Sequence, residues 1–264
     1  MQNNIIDAVC SRLYNEVAGI EHKHTWRTGM ALKAIFIDID NTLLSFDEYV
    51  KQTMREGFAH FGLKAYEPWM YDKFTQVNNG LWRQIEDATL TFGELTKIRW
   101  NRVFEELGID FDGPTFETYF RGALYDSAIP EEGAYELLDA LKENYLLCAA
   151  SNGPYEQQLH RLEIAGMREA FNYVFISEKV GAAKPSEKFF DYAFAELNTG
   201  RTEQITPQEC MMVGDSLTSD IKGGQMYGMQ TCLYRRKKNM IAPEGVLVAN
   251  SLREVVERIH EADK

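Results

Sequence analysis

Asp38 and Asp40 stand two apart at the close of the apolar run Ala34-Ile35-Phe36-Ile37, and side chains two apart on a strand leave the same face of it. Such a run reads as a buried parallel strand, so both carboxylates should project together from its carboxyl end. Three more segments close hydrophobic runs in the same way: Ser151-Asn152-Gly153, Lys184-Pro185, and Gly214-Asp215-Ser216 followed by Asp220. Carboxylates, a hydroxyl and one lysine gathered in this way suit phosphoryl transfer. Cleaving a phosphate monoester is among the slowest uncatalysed reactions; one route passes the phosphoryl group to an aspartate and then hydrolyses the acyl phosphate.

In that chemistry Asp38 is the nucleophile. Asp40 protonates the departing alkoxide and later takes a proton from the attacking water, which requires it to be neutral when substrate arrives. A close like charge favours that split by raising one of two carboxyl pKa values. Ser151 and the backbone N–H of Asn152 offer donors to phosphate oxygens, and Gly153 lets the backbone come close. Lys184 supplies a fixed cation for charge developing on the phosphoryl group, and Pro185 holds it extended. Mg²⁺ typically binds through one or two carboxylates plus water and phosphate oxygens. Asp38, Asp40 and Asp215 are the expected metal-holding residues, and Asp220 orients the metal's water shell or Lys184. Each segment alone is ordinary: Asp-x-Asp caps helices or makes turns, and Ser-Asn-Gly is a turn. Their order and their placement at strand ends carry the reading.

Strand and helix signals alternate around these segments. Strands are expected at 34–37, 145–150, 173–176, 211–213, 230–234 and 246–248, with helices near 131–143, 154–165, 187–197, 218–227 and from 252 onward. This is the pattern of a doubly wound parallel α/β sheet, whose ligands sit beyond the carboxyl ends of the strands at a topological switch point. Between about 46 and 129 the strand signal gives way to four helical stretches, 47–61, 66–86, 91–107 and 115–124. The expected organisation is a core of 30–45 and 130–264 interrupted by a helical insert of 46–129. Residues 1–29 precede the first strand as an amphipathic helical extension expected to pack on the domain, since Ile5, Val9, Leu13, Val17 and Ile20 recur at helical spacing; a flexible, dispensable leader is the alternative. His22 and His24 within it read as solvated surface.

The 264 residues suffice for a full α/β core and a second small domain. A formal charge of -12 and a pI near 5.0 disfavour a nucleic-acid polymer or an anionic membrane as partner. A small phosphorylated metabolite remains suitable where the site supplies its own cations. Cys148, Cys210 and Cys232 lie within apolar runs, as reduced, packed thiols do. With no apolar stretch long enough to span a membrane and no signal-peptide core, a cytoplasmic location is expected. Arg235-Arg236-Lys237-Lys238 reads as a solvated loop.

The four segments resemble the motifs of the haloacid dehalogenase superfamily: Asp38, Asp40 and Thr42, then Ser151, then Lys184, then Asp215 and Asp220, over about 33–234. The resemblance implies a Rossmann-like core, Mg²⁺ as cofactor, and Thr42, Ser151, Asn152 and Lys184 as phosphate-binding residues. It also implies that the insert is a C1 helical cap, which closes over the site and selects substrates. Asp40 separates the chain from the dehalogenases, which lack an acid there. Within the superfamily, Val77-Asn78-Asn79-Gly80-Leu81-Trp82-Arg83, Leu90-Thr91-Phe92-Gly93-Glu94-Leu95 and Arg99-Trp100 are similar to segments of the house-cleaning pyrimidine 5'-nucleotidases. The stretches 36–47 and 184–192 share that likeness. Where that group commonly has glycine this chain has Ala88, and residues 1–29 fall outside its usual pattern.

On this reading the activity is hydrolysis of a nucleoside monophosphate. Trp82 stacks on the base, Asn78 or Asn79 bonds its edge, and Arg83 or Arg99 faces phosphate. The competing assignment for Trp82 is the apolar face of a cap helix with Leu81 and Ile85. A sugar phosphate or phosphoglycolate is the nearest alternative substrate, and a mutase is a more distant one. A catalytically silent ligand-binding regulator is the alternative from another class. No Gly-x-Gly-x-x-Gly follows the first strand, which speaks against a nicotinamide-binding dehydrogenase.

Overall fold

The computed structural model describes residues 31–236 and 240–264; the expected N-terminal helix, with His22 and His24, lies outside them. Strand β1 (Ala34–Ile37) is buried along its whole length. Its alternate residues feed two core layers. Ile35 and Ile37 pack with Leu137, Leu162 and Val255 on one face, while Ala34 and Phe36 meet Phe189, Phe190 and Phe194 on the other. Burial on both faces is why this run reads as continuously apolar instead of alternating.

After β1 come four helices, α1 (Phe46–His60), α2 (Pro68–Glu86), α3 (Phe92–Leu107) and α4 (Gly113–Tyr125). They enclose their own aromatic core, centred on Phe74, Trp100, Phe116 and Phe120. Helix α3 begins with a reciprocal cap, the Glu94 amide donating to Thr91 Oγ1 at 3.2 Å and the Thr91 amide to Glu94 Oε2 at 2.8 Å. The chain then continues through α5 (Ala134–Leu141), β2 (Leu146–Ser151), α6 (Tyr155–Ile164), β3 (Tyr173–Ile176), α7 (Ser177–Val180), α8 (Glu187–Leu197) and β4 (Cys210–Gly214). It closes with α9 (Lys222–Tyr227), β5 (Gln230–Tyr234), β6 (Leu247–Ala249) and α10 (Leu252–Ala262).

The six strands are parallel in the order β3-β2-β1-β4-β5-β6. Winding reverses between β1 and β4, so the switch point lies beyond Ile37 and Gly214. The doubly wound sheet with a helical unit after its first strand is therefore the observed fold. The thiols of Cys148, Cys210 and Cys232 are buried and unbridged, and no helix among the described residues is long and apolar enough to cross a membrane.

The two chain crossings between sheet and helical unit are joined to each other. The Ser45 amide donates to the Ile129 carbonyl at 2.7 Å, the Glu131 amide to that of Leu43 at 2.9 Å, and Leu44 bridges Pro130 in antiparallel fashion. Arg236, beyond β5, pairs with Asp47 at 2.8 Å and Glu131 at 3.0 Å. This corrects the expectation of a solvated basic loop at that position, because both crossings present a carboxylate to the guanidinium.

Two local features depart from the sequence pattern. The helix expected over 218–227 starts as a π turn, Leu217–Ile221, before α9; the widened turn accompanies an Asp220 side chain bent back onto the Ser216 amide at 3.1 Å. Ala88, in the α2–α3 connection, holds φ 56°, the left-handed region where a Cβ costs about 1–2 kcal/mol. That cost explains why glycine suits the position. Ala88→Gly is expected to raise the thermal midpoint by about 1–2 °C, part of the relief being lost to the greater freedom of glycine when unfolded. Ala88→Val should lower it, and a scanning-calorimetry comparison in which Val is the more stable variant would disprove the strain.

Candidate active site

Asp38 emerges from β1 almost buried, and both of its oxygens are engaged. Oδ1 accepts from Lys184 Nζ at 2.8 Å and Oδ2 from Thr42 Oγ1 at 3.2 Å. The chain turns sharply at once, through Asn41 at φ 63°, whose Oδ1 accepts from the Asp47 amide at 2.9 Å. Asparagine tolerates this conformation better than most residues, and the turn carries the chain off toward α1.

Lys184 is fully buried and uses all three ammonium donors: to Asp38 Oδ1, to the Ala150 carbonyl at 2.6 Å and to Asp220 Oδ1 at 2.7 Å. Burial alone would lower its pKa, but Asp220 and Asp38 outweigh that and hold it raised. Its loop is fixed by Asn152, whose Oδ1 accepts from the Lys184 amide at 2.8 Å and whose Nδ2 donates to the Lys184 carbonyl at 2.9 Å. The Asn152 side chain thus locks the lysine loop, leaving only its main chain for the expected phosphate role.

Asp38, Asp215 and Asp220 each offer an oxygen within 4.8 Å of the others. With all three ionised, Lys184 leaves two negative charges uncompensated. Burial, opposed by Lys184 and reinforced by Asp220, pushes the Asp38 carboxyl up to about 7; burial together with Asp38 and Asp220 drives Asp215 well above the usual carboxylate range. A compact set of hard oxygen donors with this charge surplus fits a divalent cation such as Mg²⁺. Gly214 is required here, since a Cβ would meet Asp220 Oδ2 at 2.1 Å.

Asp40 is placed differently from the expectation that groups it with the metal-holding carboxylates. Its Oδ1 accepts from Arg161 at 2.6 Å and its Oδ2 from Gln158 Nε2 at 2.7 Å, which turns the side chain toward α6 and leaves it out of the cluster. Ser151 Oγ accepts from Gln158 Nε2 at 2.6 Å and from the Gly153 amide at 3.1 Å, so its own hydroxyl proton is left to donate. A Cβ on Gly153 would lie 2.7 Å from Gln158 Nε2; the glycine makes room for this side chain.

The helical unit distributes its expected substrate residues unevenly. Arg99 is buried in a two-pronged ion pair with Glu117, at 2.6 and 3.0 Å, and donates to Asn78 Oδ1 at 3.1 Å. That corrects its expected role facing phosphate: Arg99 and Asn78 satisfy one another and Glu117 inside the cap core. Asn79 and Arg83 are exposed. Trp82 is half-buried, its ring 6.0 Å from that of Phe92. One turn further on, Glu86 comes up to the Leu217–Ile221 turn of the sheet domain, beside Thr218. Burial first, reinforced by Asp220 and opposed by Thr218, pushes its carboxyl up to about 7.

Gln158, Arg161 and Glu86 are site residues that the motifs did not single out. The first two had a signal: with Leu162 and Ala165 they fall at the i, i+3, i+4, i+7 spacing of a buried helical face, so two polar side chains interrupt an apolar stripe directly after Ser151. Glu86 had none, because its contact with Thr218 joins segments far apart in the chain.

A family model for hydrolases, haloacid dehalogenase-like hydrolase, matches residues 32–228. The pyrimidine 5'-nucleotidase PynA of Streptococcus pneumoniae is 34% identical over 211 residues, covering 78% of this chain and 84% of the relative. The pyrimidine 5'-nucleotidase YjjG of Escherichia coli is 31% identical over 212 residues, covering 80% and 89%. Among solved structures, YfnB of Bacillus subtilis, described as a HAD-hydrolase and bound to magnesium, superposes with a TM-score of 0.78 at 28% identity, covering 87% of this chain and 99% of that one.

Proposed function

Because the chain belongs to the haloacid dehalogenase-like hydrolase family, we propose that it is a Mg²⁺-dependent phosphatase that cleaves a pyrimidine nucleoside 5'-monophosphate through an aspartyl phosphate. The observation that carries the reaction is the joining of Asp38, Lys184, Asp215 and Asp220 in one buried cluster at the switch point. Asp38, Asp215 and Asp220 are the residues that would hold the cation. When bound, the cation neutralises charge on Asp38 and on the phosphate oxygens.

An Asp38 oxygen attacks phosphorus. As the bond from phosphorus to the ester oxygen breaks, its electron pair stays on the leaving oxygen, which takes a proton from Asp40. Asp40 then accepts a proton from water as the water oxygen attacks the acyl phosphate, releasing inorganic phosphate and the Asp38 carboxylate. Ser151 donates its free hydroxyl proton to a phosphate oxygen. Lys184, with every donor committed, reaches phosphate by exchanging its bond to Asp38 once that oxygen is tied to phosphorus.

The nucleotide reading is supported by the two nucleotidase relatives and by the cap surface bearing Trp82 and Glu86, which share one face of α2 at i, i+4. Losing a base-stacking contact costs roughly 1–3 kcal/mol, so Trp82→Ala is expected to lower kcat/KM by about tenfold or more with UMP, dUMP or dTMP while little affecting 4-nitrophenyl phosphate. Equal losses on both substrate types would make Trp82 a packing residue. A panel of phosphorylated metabolites assayed with Mg²⁺ tests the class itself, and a clear preference for a sugar phosphate or phosphoglycolate would replace the nucleotide.

A further inference from the structure

Helix α6 buries two strongly polar side chains, Gln158 and Arg161, with essentially no exposure. A buried guanidinium is costly unless paired and bonded, and here its bonds lead to two functional places. One nitrogen, Nη1, donates to Asp40 Oδ1 at 2.6 Å and to Gln158 Oε1 at 2.8 Å; the Nε donates to the Ser127 carbonyl at 2.9 Å. Gln158 in turn binds Asp40 Oδ2 and Ser151 Oγ. Both oxygens of Asp40 are therefore fixed from one helix, although the residue itself remains partly open to solvent. Ser127 belongs to the short segment that returns from α4 to the sheet.

We propose that Arg161 is a positioning residue for Asp40, which aims the proton-transferring carboxyl and ties its aim to the linker returning from the cap. This rests on Asp40 being the acid and base of the proposed reaction. The bridge through one rigid, planar group means that the acid and the linker share a single support. Without it, Asp40 keeps its Gln158 contact but loses the partner that stops the carboxyl from rotating.

The test compares Arg161→Met, Arg161→Lys and Asp40→Asn on glycerol 2-phosphate, whose alkoxide needs a proton to leave, and on 4-nitrophenyl phosphate, whose phenolate does not. For Arg161→Met, kcat/KM, which reports the steps up to departure of the leaving group, should fall about tenfold to a hundredfold with the alkyl ester, a loss at least about fivefold greater than with the aryl ester. Arg161→Lys, a cation unable to bond Asp40 and the Ser127 carbonyl together, should recover part of that selective loss. If Asp40→Asn shows the leaving-group dependence and folded Arg161 variants show none, the positioning role is overturned while the acid assignment stands. If Asp40→Asn loses equally on both esters, the acid assignment itself has failed. Should Arg161→Met not fold, Arg161→Lys decides alone: it must show a selective deficit of about threefold or more, and its absence overturns the proposal.

Discussion

Asp38→Asn is expected to leave less than about a thousandth of wild-type turnover, because the amide cannot form the acyl phosphate on which both proposed half-reactions depend. The fold should survive. Burial and Asp220 already outweigh the Lys184 attraction at Asp38 and lift its pKa to about 7, so a neutral side chain of the same shape removes more repulsion than attraction above that pH. The metal-free variant should melt at or above the wild-type temperature near about pH 8. Residual turnover in the per-cent range, or a variant that unfolds in the absence of metal, would count against the placement of charge described above.

Removing metal is the second large effect. Chelation with EDTA should silence turnover and added Mg²⁺ restore it; full activity in metal-free buffer would remove Asp215 from the site. Stability should follow with a definite sign. Asp38 and Glu86 are pushed up to about 7 and Asp215 is raised well above its usual range. An acid whose pKa is higher folded than unfolded binds more protons in the folded state, so its contribution is lost as pH rises through the interval between the two values. For Asp38 and Glu86 that interval runs from about pH 4 to about 7. Metal-free protein should therefore lose melting temperature from about pH 4 to about 7 on account of Asp38 and Glu86. Mg²⁺ should return more at the upper end, where the carboxylates are ionised: a concentration near a hundred times Kd gives about 2.7 kcal/mol, roughly 5–10 °C. Equal shifts at both pH values would show that the cation does not neutralise this cluster.

All six strands and the order of the helices were legible in the sequence, because a parallel sheet buried on both faces leaves unbroken apolar runs and the cap leaves helical periodicity. The site was legible to the extent that it sits at strand ends, which fixes where Asp38, Ser151 and Asp215 come together; Lys184 instead arrives from the loop after α7, eight residues beyond the end of β3. What spacing does not encode is which way a side chain turns once there. Asp40 lies two residues from Asp38 yet is drawn to α6, because Arg161 and Gln158 arrive from a helix more than a hundred residues later. Arg99 and Asn78 carry chemistry fit for a substrate, yet Glu117 holds Arg99, and Arg99 in turn holds Asn78, in the interior of the cap. Arg236, in a run that reads as solvent-facing, is taken by carboxylates on two separate segments.

The pairing of the two linkers has a consequence for how such a protein can be rebuilt over generations. Because entry at Ser45 and exit at Ile129 are already hydrogen-bonded to each other, the sheet meets the intervening helices as a closed graft whose ends coincide, the arrangement in which insertions are best tolerated. A different helical module spliced between the same two points would leave the register of β1 and the aim of Asp38 untouched. New specificity can then be acquired by exchange of the graft while the reacting groups are inherited unchanged.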